Sequence, residues 1–323
     1  MGQSRQAIFV CMTSYQYIVA DLIAKKKYRS DKVKSLIILK YISNINFKRN
    51  KYADYVVIPK RIAGRILTLW YSTRIGFDWG KSILYFFNDR DPISKNVARW
   101  CYKKVHVEEG FAAYFDDPGV KAIGEEIIPD VAYVGYPDLY KLMHSYDCVV
   151  KRLDYKSFFN RDDTDVYVTK FGQESFNVDL VLLGQAVTEE LRSHDKAVLS
   201  IIRRIKPDIK VIIKPHPRDL HPENYRLYGN VRIMDKQYSA LPIEVLIHRI
   251  NAKCLVTLFS SAVVTLSNMF RNMDIIMVYK TRGLELGEMA SNMDYFTKYA
   301  QNIHIPNNDA ELEAVLNSVI NYG

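Results

Sequence analysis

The chain contains 323 residues, of which 48% are apolar and 25% are charged, a balance that excludes disordered and fibrous proteins. Its length predicts two domains of roughly 150 residues each. The formal net charge of +9 predicts attraction to anions such as nucleotides, acidic glycans, nucleic acids or an anionic membrane face. Four cysteines without a CxxC pair indicate buried, reduced thiols. A membrane-spanning helix needs an apolar run of about 18 residues. The sequence contains no such run, so we expect no membrane-spanning helix.

The first half of the chain alternates short β-rich runs with longer helical stretches. The opening run, residues 6–13, is too short for a signal peptide and is soon followed by polar residues, so it predicts a first β-strand and a cytoplasmic location. The predicted strands are Ala7–Met12, Ser35–Leu39, Tyr55–Ile58, Ser82–Phe87 and Lys104–Val107, and the predicted helices are Tyr15–Lys27 and Asp91–Lys103.

The polar stretch Lys151–Thr164 predicts a domain boundary, which divides the chain into residues 1–160 and residues 161–323. A second series of strands and helices follows it. The predicted strands are Asp165–Thr169, Leu180–Leu183, Ile209–Lys214, Val231–Met234, Lys253–Leu258 and Asp274–Val278, and the predicted helices are Glu189–Lys206, Leu241–Ile250, Ala262–Met269 and Asp309–Asn321.

Continuous β-branched and aromatic strands separated by helices are typical of parallel sheets that are covered on both faces. The sequence therefore predicts an α/β fold with two Rossmann-like domains facing a central cleft. Ligands of open α/β sheets bind beyond the carboxyl ends of the strands. The residues directly after each predicted strand are thus the candidates for chemistry.

Two adjacent acids, Glu108 and Glu109, follow the predicted strand Lys104–Val107. Gly110 comes next and allows a turn that a side chain could block. A carboxylate at this position can take a proton from an attacking hydroxyl group. The same three residues would also fit an acidic turn without a catalytic role.

A rigid turn follows the predicted strand Ile209–Lys214, where Pro215 and Pro217 restrict the backbone around His216. Lys214, His216 and Arg218 are three cationic or titratable contacts within five residues. They predict a phosphate or nucleotide site, the alternative being a structural histidine.

Three further strand ends and helix starts carry polar groups. Ser260 and Ser261 lie at a strand-to-helix junction, where hydroxyl and backbone N–H groups can bind an anion or merely cap the helix. Gly184 and Gln185 follow another strand, and the glycine lets the backbone approach a ligand. Glu244 lies in the first turn of a predicted helix, where it could accept hydrogen bonds from ribose hydroxyls or simply favour the helix start.

These motifs, in this order, resemble those of the bacterial sialyltransferases of glycosyltransferase family 52, with related signatures in families 80 and 38. Those enzymes have an acidic D/E-D/E-G motif, an HP motif and a paired-serine motif. The segment Val10–Gln16 also looks like the first strand and loop of the family. The matching motif residues are Glu108-Glu109-Gly110, His216-Pro217 and Ser260-Ser261.

The resemblance implies a GT-B-like fold and an inverting transfer of sialic acid from CMP-sialic acid to a galactose-containing acceptor. It implies Glu108 as the base, with Glu109 as the alternative, and a contact of His216 and the serine pair with the CMP phosphate. We expect His216 to be catalytic as well, because it can stabilise the negative charge on the leaving phosphate or donate a proton to it. The expected donor-binding residues are Gly184, Gln185, Lys214, Pro217, Glu244, Ser260 and Ser261, and the expected acceptor contacts are Thr13, Tyr15, Gln16 and the loop Phe87–Arg90.

The sequence leaves other functions open. A polysialyltransferase or a Kdo transferase would use a related CMP-sugar donor on a similar fold. A nucleic-acid-binding protein would fit the positive charge, but the chain has no helix-turn-helix, zinc-finger or RNP-type signature. We expect no metal and no cofactor, because the donor carries a single phosphate. A homodimer and a peripheral contact with an anionic membrane are the further partners that we expect.

Overall fold

The computed structural model describes residues 6–28, 34–40, 53–58, 78–115, 126–168, 174–185, 188–228 and 231–322. The chain divides into two compact units, unit 1 with residues Met1–Leu153 and unit 2 with residues Asp154–Gly323. The division falls inside the polar stretch in which the sequence predicts a boundary.

Unit 1 is built on a seven-stranded sheet with the strand order β3-β2-β1-β4-β5-β6-β7. Every neighbouring pair in it is parallel. The strands β1, β4 and β5 lie side by side at its centre, so the loops that follow them meet at one edge. The strands are β1 (Gln6–Cys11), β2 (Lys34–Lys40), β3 (Asp54–Ile58), β4 (Ser82–Phe86), β5 (Lys103–Val107), β6 (Val131–Val134) and β7 (Val149–Arg152).

Three α-helices of unit 1 lie in its described residues, α1 (Ser14–Lys27), α2 (Pro92–Ala98) and α3 (Pro137–Met143). The side chains of Thr13 and Asp91 cap α1 and α2 by accepting N–H groups of the first turn. Two short 3₁₀ helices span Trp79–Lys81 and Phe111–Ala113. The predicted helix Asp91–Lys103 is thus too long, because the chain leaves the helix after Ala98 and starts β5 at Lys103.

One part of the core of unit 1 lies between its sheet and α2, and α1 packs against β1 and β2. Alternate residues of the strands point to this face, as the pleat of a strand requires. The buried residues of this core are Ile8, Val10, Leu36, Ile38, Val56, Leu84, Phe86, Ile93, Val97, Cys101 and Ile127.

Unit 2 contains a six-stranded sheet with the order β11-β10-β9-β13-β14-β15 and a two-stranded sheet of β8 and β12. All of these pairs are parallel. The strands are β8 (Phe176–Asn177), β9 (Leu180–Leu183), β10 (Val211–Lys214), β11 (Val231–Ile233), β12 (Ile250–Asn251), β13 (Cys254–Thr257), β14 (Asp274–Met277) and β15 (Ile303–His304).

Helices surround the larger sheet of unit 2, and α6 packs against the final helix α11. Two 3₁₀ helices span Pro222–Tyr228 and Ile247–Arg249. The α-helices are α4 (Tyr155–Phe158), α5 (Arg161–Val168), α6 (Glu189–Ile205), α7 (Lys236–Ser239), α8 (Ile243–Leu246), α9 (Ala262–Met269), α10 (Glu288–Phe296) and α11 (Asp309–Tyr322).

Two predictions for unit 2 are wrong. The predicted strand Asp165–Thr169 is helical up to Val168 in α5, because Asn160 starts the helix by accepting the N–H group of Asp163 at 2.9 Å; Thr169 lies outside the described residues. The predicted helix Leu241–Ile250 is broken into α8, a 3₁₀ turn and the strand β12.

The core of unit 2 contains apolar residues of α6 and of the final helix α11 together with those of the strands. None of the helices in the described ranges is long and apolar enough to cross a membrane. The buried core residues are Leu180, Leu182, Val198, Leu199, Ile201, Ile202, Ile209, Val211, Ile213, Tyr225, Cys254, Val256, Leu258, Ile276, Val278, Leu312, Leu316, Val319 and Ile320.

Candidate active site

The acidic motif lies at the carboxyl edge of the unit 1 sheet. Glu108 and Glu109 follow β5 directly, and Asp89 belongs to the loop after the neighbouring strand β4. Gln16 lies in the first turn of α1, just after β1. The sheet order thus brings together the residues that follow three adjacent strands, as the sequence predicts for chemistry in an α/β fold.

Glu108 is fully buried and serves the fold around it. Its Oε2 accepts the N–H group of Gly135 at 2.7 Å and the hydroxyl group of Tyr114. The Tyr114 oxygen in turn accepts the N–H group of Tyr136 at 3.0 Å. This carboxylate therefore ties the loop after β5 to the loop after β6, and it has no contact with solvent.

Glu109 is only half-buried and points to different partners. The side-chain amide of Gln16 donates a hydrogen bond to its Oε2. Burial raises the pKa of Glu109 to about 7, the Gln16 hydrogen bond opposes that rise and the charge of Asp89 adds to it. A carboxyl group with this pKa can accept a proton close to neutral pH.

The three residues expected to contact an acceptor differ in exposure. Thr13 is exposed, and its Oγ1 accepts the N–H group of Gln16 at 3.2 Å as the N-cap of α1. Tyr15 is half-buried. Gln16 is only 1% exposed, and its side chain contacts Glu109 and Met12. Exposure therefore allows an acceptor contact of Thr13, whereas the hydroxyl oxygen of Tyr15 is buried and Gln16 faces the protein.

The loop Phe87–Arg90 is also tied to the fold. Phe87 is buried, and Asn88 accepts the N–H group of Arg90 at 2.8 Å through its side chain. Asp89 is half-buried, and burial together with the charge of Glu126 raises its pKa, which Arg90 partly offsets. Asp89 is the member of this loop that acts electrostatically on Glu109.

The predicted donor residues of unit 2 meet at the carboxyl edge of its larger sheet. The strands β10, β9 and β13 are neighbours, and Lys214, Leu183 and Thr257 lie in one row of the register. Gly184, His216 and Ser260 come one to three residues beyond that row. Three separate sequence motifs are therefore brought to one edge of a single sheet.

His216 has a defined tautomer. Its Nδ1 lies 3.1 Å from the backbone nitrogen of Arg218, whose N–H group donates the bond. In the neutral ring the proton must therefore be on Nε2. Burial and the nearby charges of Arg218 and Lys214 lower the pKa of His216, which favours this neutral form. Pro217 beside it is exposed.

Lys214 and Glu244 are both buried below this edge. The Lys214 ammonium donates to the carbonyl oxygen of Ser239 at 3.1 Å. Burial lowers the pKa of Lys214 to about 8, an effect that Glu244 opposes, and burial raises the pKa of Glu244 to about 7. The two side chains stabilise each other's charge inside the protein.

The serine pair lies at the start of α9. Ser260 is half-buried and its Oγ accepts the N–H group of Ala262 at 3.3 Å, while Ser261 is exposed and makes no side-chain cap. The helix start combines these hydroxyl groups with N–H groups of the first turn, which favours an anion.

Gly184 and Gln185 are held by backbone hydrogen bonds, one of them to a buried aspartate that a buried tyrosine also contacts; the sequence analysis missed both of these buried residues. The Gly184 N–H group donates to the Lys214 carbonyl at 3.0 Å, and the Gln185 N–H group donates to Asp195 at 3.3 Å. The same Asp195 oxygen accepts the Tyr225 hydroxyl at 2.6 Å. Burial raises the pKa of Asp195 to about 7, which these two hydrogen bonds oppose.

Arg192 holds the loop that follows His216. Its guanidinium donates to Asp219 at 2.9 Å and to the carbonyl oxygen of His221 at 2.7 Å, and both charged side chains are nearly inaccessible to solvent. The Asp219 N–H group donates back to the His216 carbonyl at 2.9 Å. Arg192 and Asp195 lie one turn apart on α6, so this helix anchors both the loop after His216 and the loop with Gln185. The amphipathic pattern of α6 is the sequence signal for these two residues.

Within the described part of the chain, no group of three or more histidine, cysteine, aspartate or glutamate side chains is arranged to hold a metal ion.

The sequence model of the alpha-2,8-polysialyltransferase family matches residues 103–279. No curated protein sequence matches the chain. The matched range starts at β5, with the acidic motif, and ends just after β14. It therefore contains all three motifs on which the resemblance to bacterial sialyltransferases rests.

Solved structures with the same fold include two sialyltransferases. The alpha/beta-galactoside alpha-2,3-sialyltransferase of the luminous marine bacterium Photobacterium phosphoreum has a TM-score of 0.61 at 14% identity, covering 94% of this chain and 99% of its own. The GT-B domain of the Photobacterium damselae sialyltransferase has a TM-score of 0.60 at 9% identity, covering 93% and 99%.

A third structure with this fold is the UDP-GlcNAc 2-epimerase of Methanocaldococcus jannaschii, with a TM-score of 0.61 at 14% identity, covering 98% of this chain and 93% of its own. The predicted α/β fold with two Rossmann-like domains of the GT-B kind is confirmed by these similarities. The same fold carries both a transferase and an epimerase, so the fold alone does not select the activity.

Proposed function

The chain belongs to the alpha-2,8-polysialyltransferase family, and from this premise we propose that it is an inverting sialyltransferase with CMP-sialic acid as its donor. The observation that carries the proposal is the half-buried carboxyl group of Glu109, whose pKa is raised to about 7, at the carboxyl end of β5. A base of this kind is what the transfer to a hydroxyl group requires.

Glu109, and not Glu108, is the base in this proposal. The Glu108 carboxylate is fully buried and already accepts the Tyr114 hydroxyl and the Gly135 N–H group. Glu109 retains contact with solvent. The resemblance of the motif favours the first acid, but the different burial of the two side chains supports the second.

The chemistry is a single displacement. The acceptor hydroxyl oxygen forms a bond to the anomeric carbon of sialic acid, and its proton passes to the Glu109 carboxylate. The bond from the anomeric carbon to the phosphate oxygen breaks, and CMP leaves with the electron pair. One displacement inverts the configuration at the anomeric carbon.

The donor phosphate is proposed to bind at the carboxyl edge of the unit 2 sheet. The neutral His216 would donate its Nε2–H group to the leaving phosphate, because its Nδ1 is engaged with Arg218. Ser260, Ser261 and the first N–H groups of α9 would add hydrogen bonds to the same charge. The lowered pKa of His216 supports a hydrogen-bond donor over a general acid.

The proposed roles of the other donor residues follow their burial. Lys214 and Glu244 lie below the edge and would shape the nucleotide pocket from beneath, with the base and the ribose as the expected ligands. Gly184 and Gln185 would present backbone to the donor. The reaction as proposed uses no metal or cofactor, and unchanged rates after treatment with EDTA are the expected result.

The acceptor proposed from the sequence is a terminal galactoside. A second candidate acceptor is a glycan that ends in sialic acid, which the alpha-2,8 linkage in the family description favours. Incubation with CMP-sialic acid and a matched pair of lactosides, one with and one without a terminal sialic acid, separates these candidates.

A cytoplasmic location, a homodimer and contact with an anionic membrane remain predictions, which fractionation and analytical ultracentrifugation would test.

The experiment that tests the base compares Glu109→Gln with Glu108→Gln. We expect Glu109→Gln to lower kcat by roughly 10²–10⁴-fold while the Kd for CMP stays within a factor of two of the native protein. Glu108→Gln is the matched control and should mainly lower thermal stability. Normal turnover by Glu109→Gln, or loss of turnover only in a folded Glu108→Gln, would refute Glu109 as the base.

A further inference from the structure

Gln16 has an unusual position for a residue at the start of a helix. It is the third residue of α1, where its N–H group donates to Oγ1 of the N-cap Thr13. A glutamine at this place commonly returns its side chain to the backbone N–H group of the N-cap residue, completing a capping box. Here its Oε1 instead accepts the N–H group of Met12, one residue earlier, at 2.5 Å.

This contact fixes the orientation of the side-chain amide. The backbone N–H group of Met12 can only donate, so the atom of Gln16 that faces it must be the oxygen. The NH₂ group of Gln16 is then directed to the only partner on its other side in the described residues, Oε2 of Glu109. Gln16 is buried, so the amide is held between these two partners.

The Gln16 amide acts on a carboxyl group that its surroundings disfavour as an anion. Burial raises the pKa of Glu109, and the charge of Asp89 raises it further, while the bond from Gln16 lowers it. Cys11 at the end of β1 is a second titratable group that interacts with Glu109. The amide therefore opposes protonation of the Glu109 carboxylate and fixes the position of its Oε2.

We propose that Gln16 is a positioning residue, which aligns the Glu109 carboxylate through its side-chain amide and does not contact the acceptor. The inference rests on the proposed function of Glu109 as the base. It reassigns a residue that the sequence analysis placed among the acceptor contacts. The sequence signal for the position of Gln16 at the helix start is the Thr-x-x-Gln spacing from Thr13 to Gln16, which is typical of a capping box.

The test is the pH dependence of kcat/KM for Gln16→Glu and Gln16→Leu. Gln16→Glu retains an oxygen for the Met12 N–H group but no longer donates to Glu109. Gln16→Leu removes both hydrogen bonds. In either variant we expect the acidic limb of the profile to move to higher pH by about one to two units, because the hydrogen bond that stabilises the Glu109 carboxylate is lost. In Gln16→Glu the added negative charge disfavours ionisation of Glu109 further.

The matched control is Gln6→Leu at the opposite end of β1. Gln6 is also buried, and its Oε1 accepts the Asp78 N–H group at 2.7 Å and lies 3.3 Å from the Ser82 hydroxyl. The control variant should lose stability and leave the acidic limb in place. A shift in this variant as large as in the Gln16 variants would mean that the limb reports general loosening, which overturns the inference.

The remaining outcomes separate the two proposals. An unmoved limb in both Gln16 variants, with Glu109→Gln inactive, overturns the role of Gln16 and leaves the base in place. A higher KM for the acceptor at every pH, with an unmoved limb, overturns the inference in favour of the acceptor contact predicted from the sequence. Full turnover by Glu109→Gln would instead remove the base on which the inference rests.

Discussion

Replacing Gly184 by alanine adds a single methyl group, and the structure gives the atoms that this group would meet. A methyl group added at its Cα would lie 2.9 Å from the Tyr225 hydroxyl oxygen, 3.5 Å from the ring carbon that bears it and 3.6 Å from the Lys214 carbonyl oxygen. The first distance is shorter than van der Waals contact. Gly184 does not adopt a positive φ, so Gly184→Ala would test packing without backbone strain.

The tyrosine has little room to move aside. Tyr225 is completely buried, and its hydroxyl group is held by Asp195 at 2.6 Å. Overpacking at a site of this kind costs about 1–3 kcal/mol. For a unit of this size, each kcal/mol lowers Tm by about 2–4 °C. The displaced loop also carries Gln185, so we expect weaker binding of CMP by the same variant.

A double-mutant cycle distinguishes this clash from general damage. Tyr225→Phe alone leaves Asp195 without its hydroxyl donor, which costs about 1–3 kcal/mol. In Gly184→Ala/Tyr225→Phe the added methyl group meets the ring carbon at 3.5 Å, an ordinary contact, so the combined loss should be smaller than the sum. Differential scanning calorimetry measures the three losses and isothermal titration calorimetry measures the Kd for CMP.

The matched control is Gly80→Ala in unit 1, where the nearest atom to the added methyl group, Oδ1 of Asp78, lies 3.6 Å away. This variant should remain within about 0.5 kcal/mol of the native protein. Strictly additive losses in the cycle, or a Gly184→Ala variant as stable as the control, would show that Tyr225 yields without cost and that the reasoning is wrong.

Two further predictions concern the buried charges of α6. Arg192→Gln should lower the stability of unit 2 by about 3–5 kcal/mol in urea unfolding, because Asp219 is left as a buried carboxylate without its guanidinium partner. Asp195→Asn should change how stability depends on pH. Burial raises the pKa of Asp195 to about 7, so its contribution is complete below about pH 4 and is lost as the pH rises towards 7. The variant should flatten this decline, and an unchanged slope would contradict the assignment.

The sequence predicts those strands whose physical signal is strong. Leu180–Leu183 and Cys254–Thr257 are fully buried, and their apolar runs identify them and the loops behind them. The edge strand Val149–Arg152 is largely exposed and includes two basic residues, so it has no such run. The two-residue strand Ile303–His304 is too short for any periodicity. Both were missed for these reasons.

The positions of the site motifs follow from the strands, whereas the roles of individual side chains do not. The predicted ends of the strands correctly locate the acidic motif, the histidine turn and the serine pair at the sheet edges. The burial of Glu108 depends on Tyr114 and on Gly135 after β6, a strand that the sequence analysis did not find. Partners that come from another strand are contributed by the tertiary fold, and the local sequence contains no signal for them.

Three buried carboxyl groups near the site motifs support a functional interpretation of both sheet edges. Glu109, Asp195 and Glu244 each have a pKa raised to about 7 by burial. Burying a carboxylate disfavours the folded state at neutral pH, and a purely structural position could hold a neutral side chain at lower cost. Such groups cluster where charge and hydrogen bonding serve a ligand or a reaction. Glu109 lies directly beyond a parallel strand, where α/β folds bind ligands, whereas Asp195 on α6 bonds to Gln185 after β9 and Glu244 on α8 interacts with Lys214 at the end of β10. These positions link the cost of burial to the transfer of sialic acid proposed for the chain.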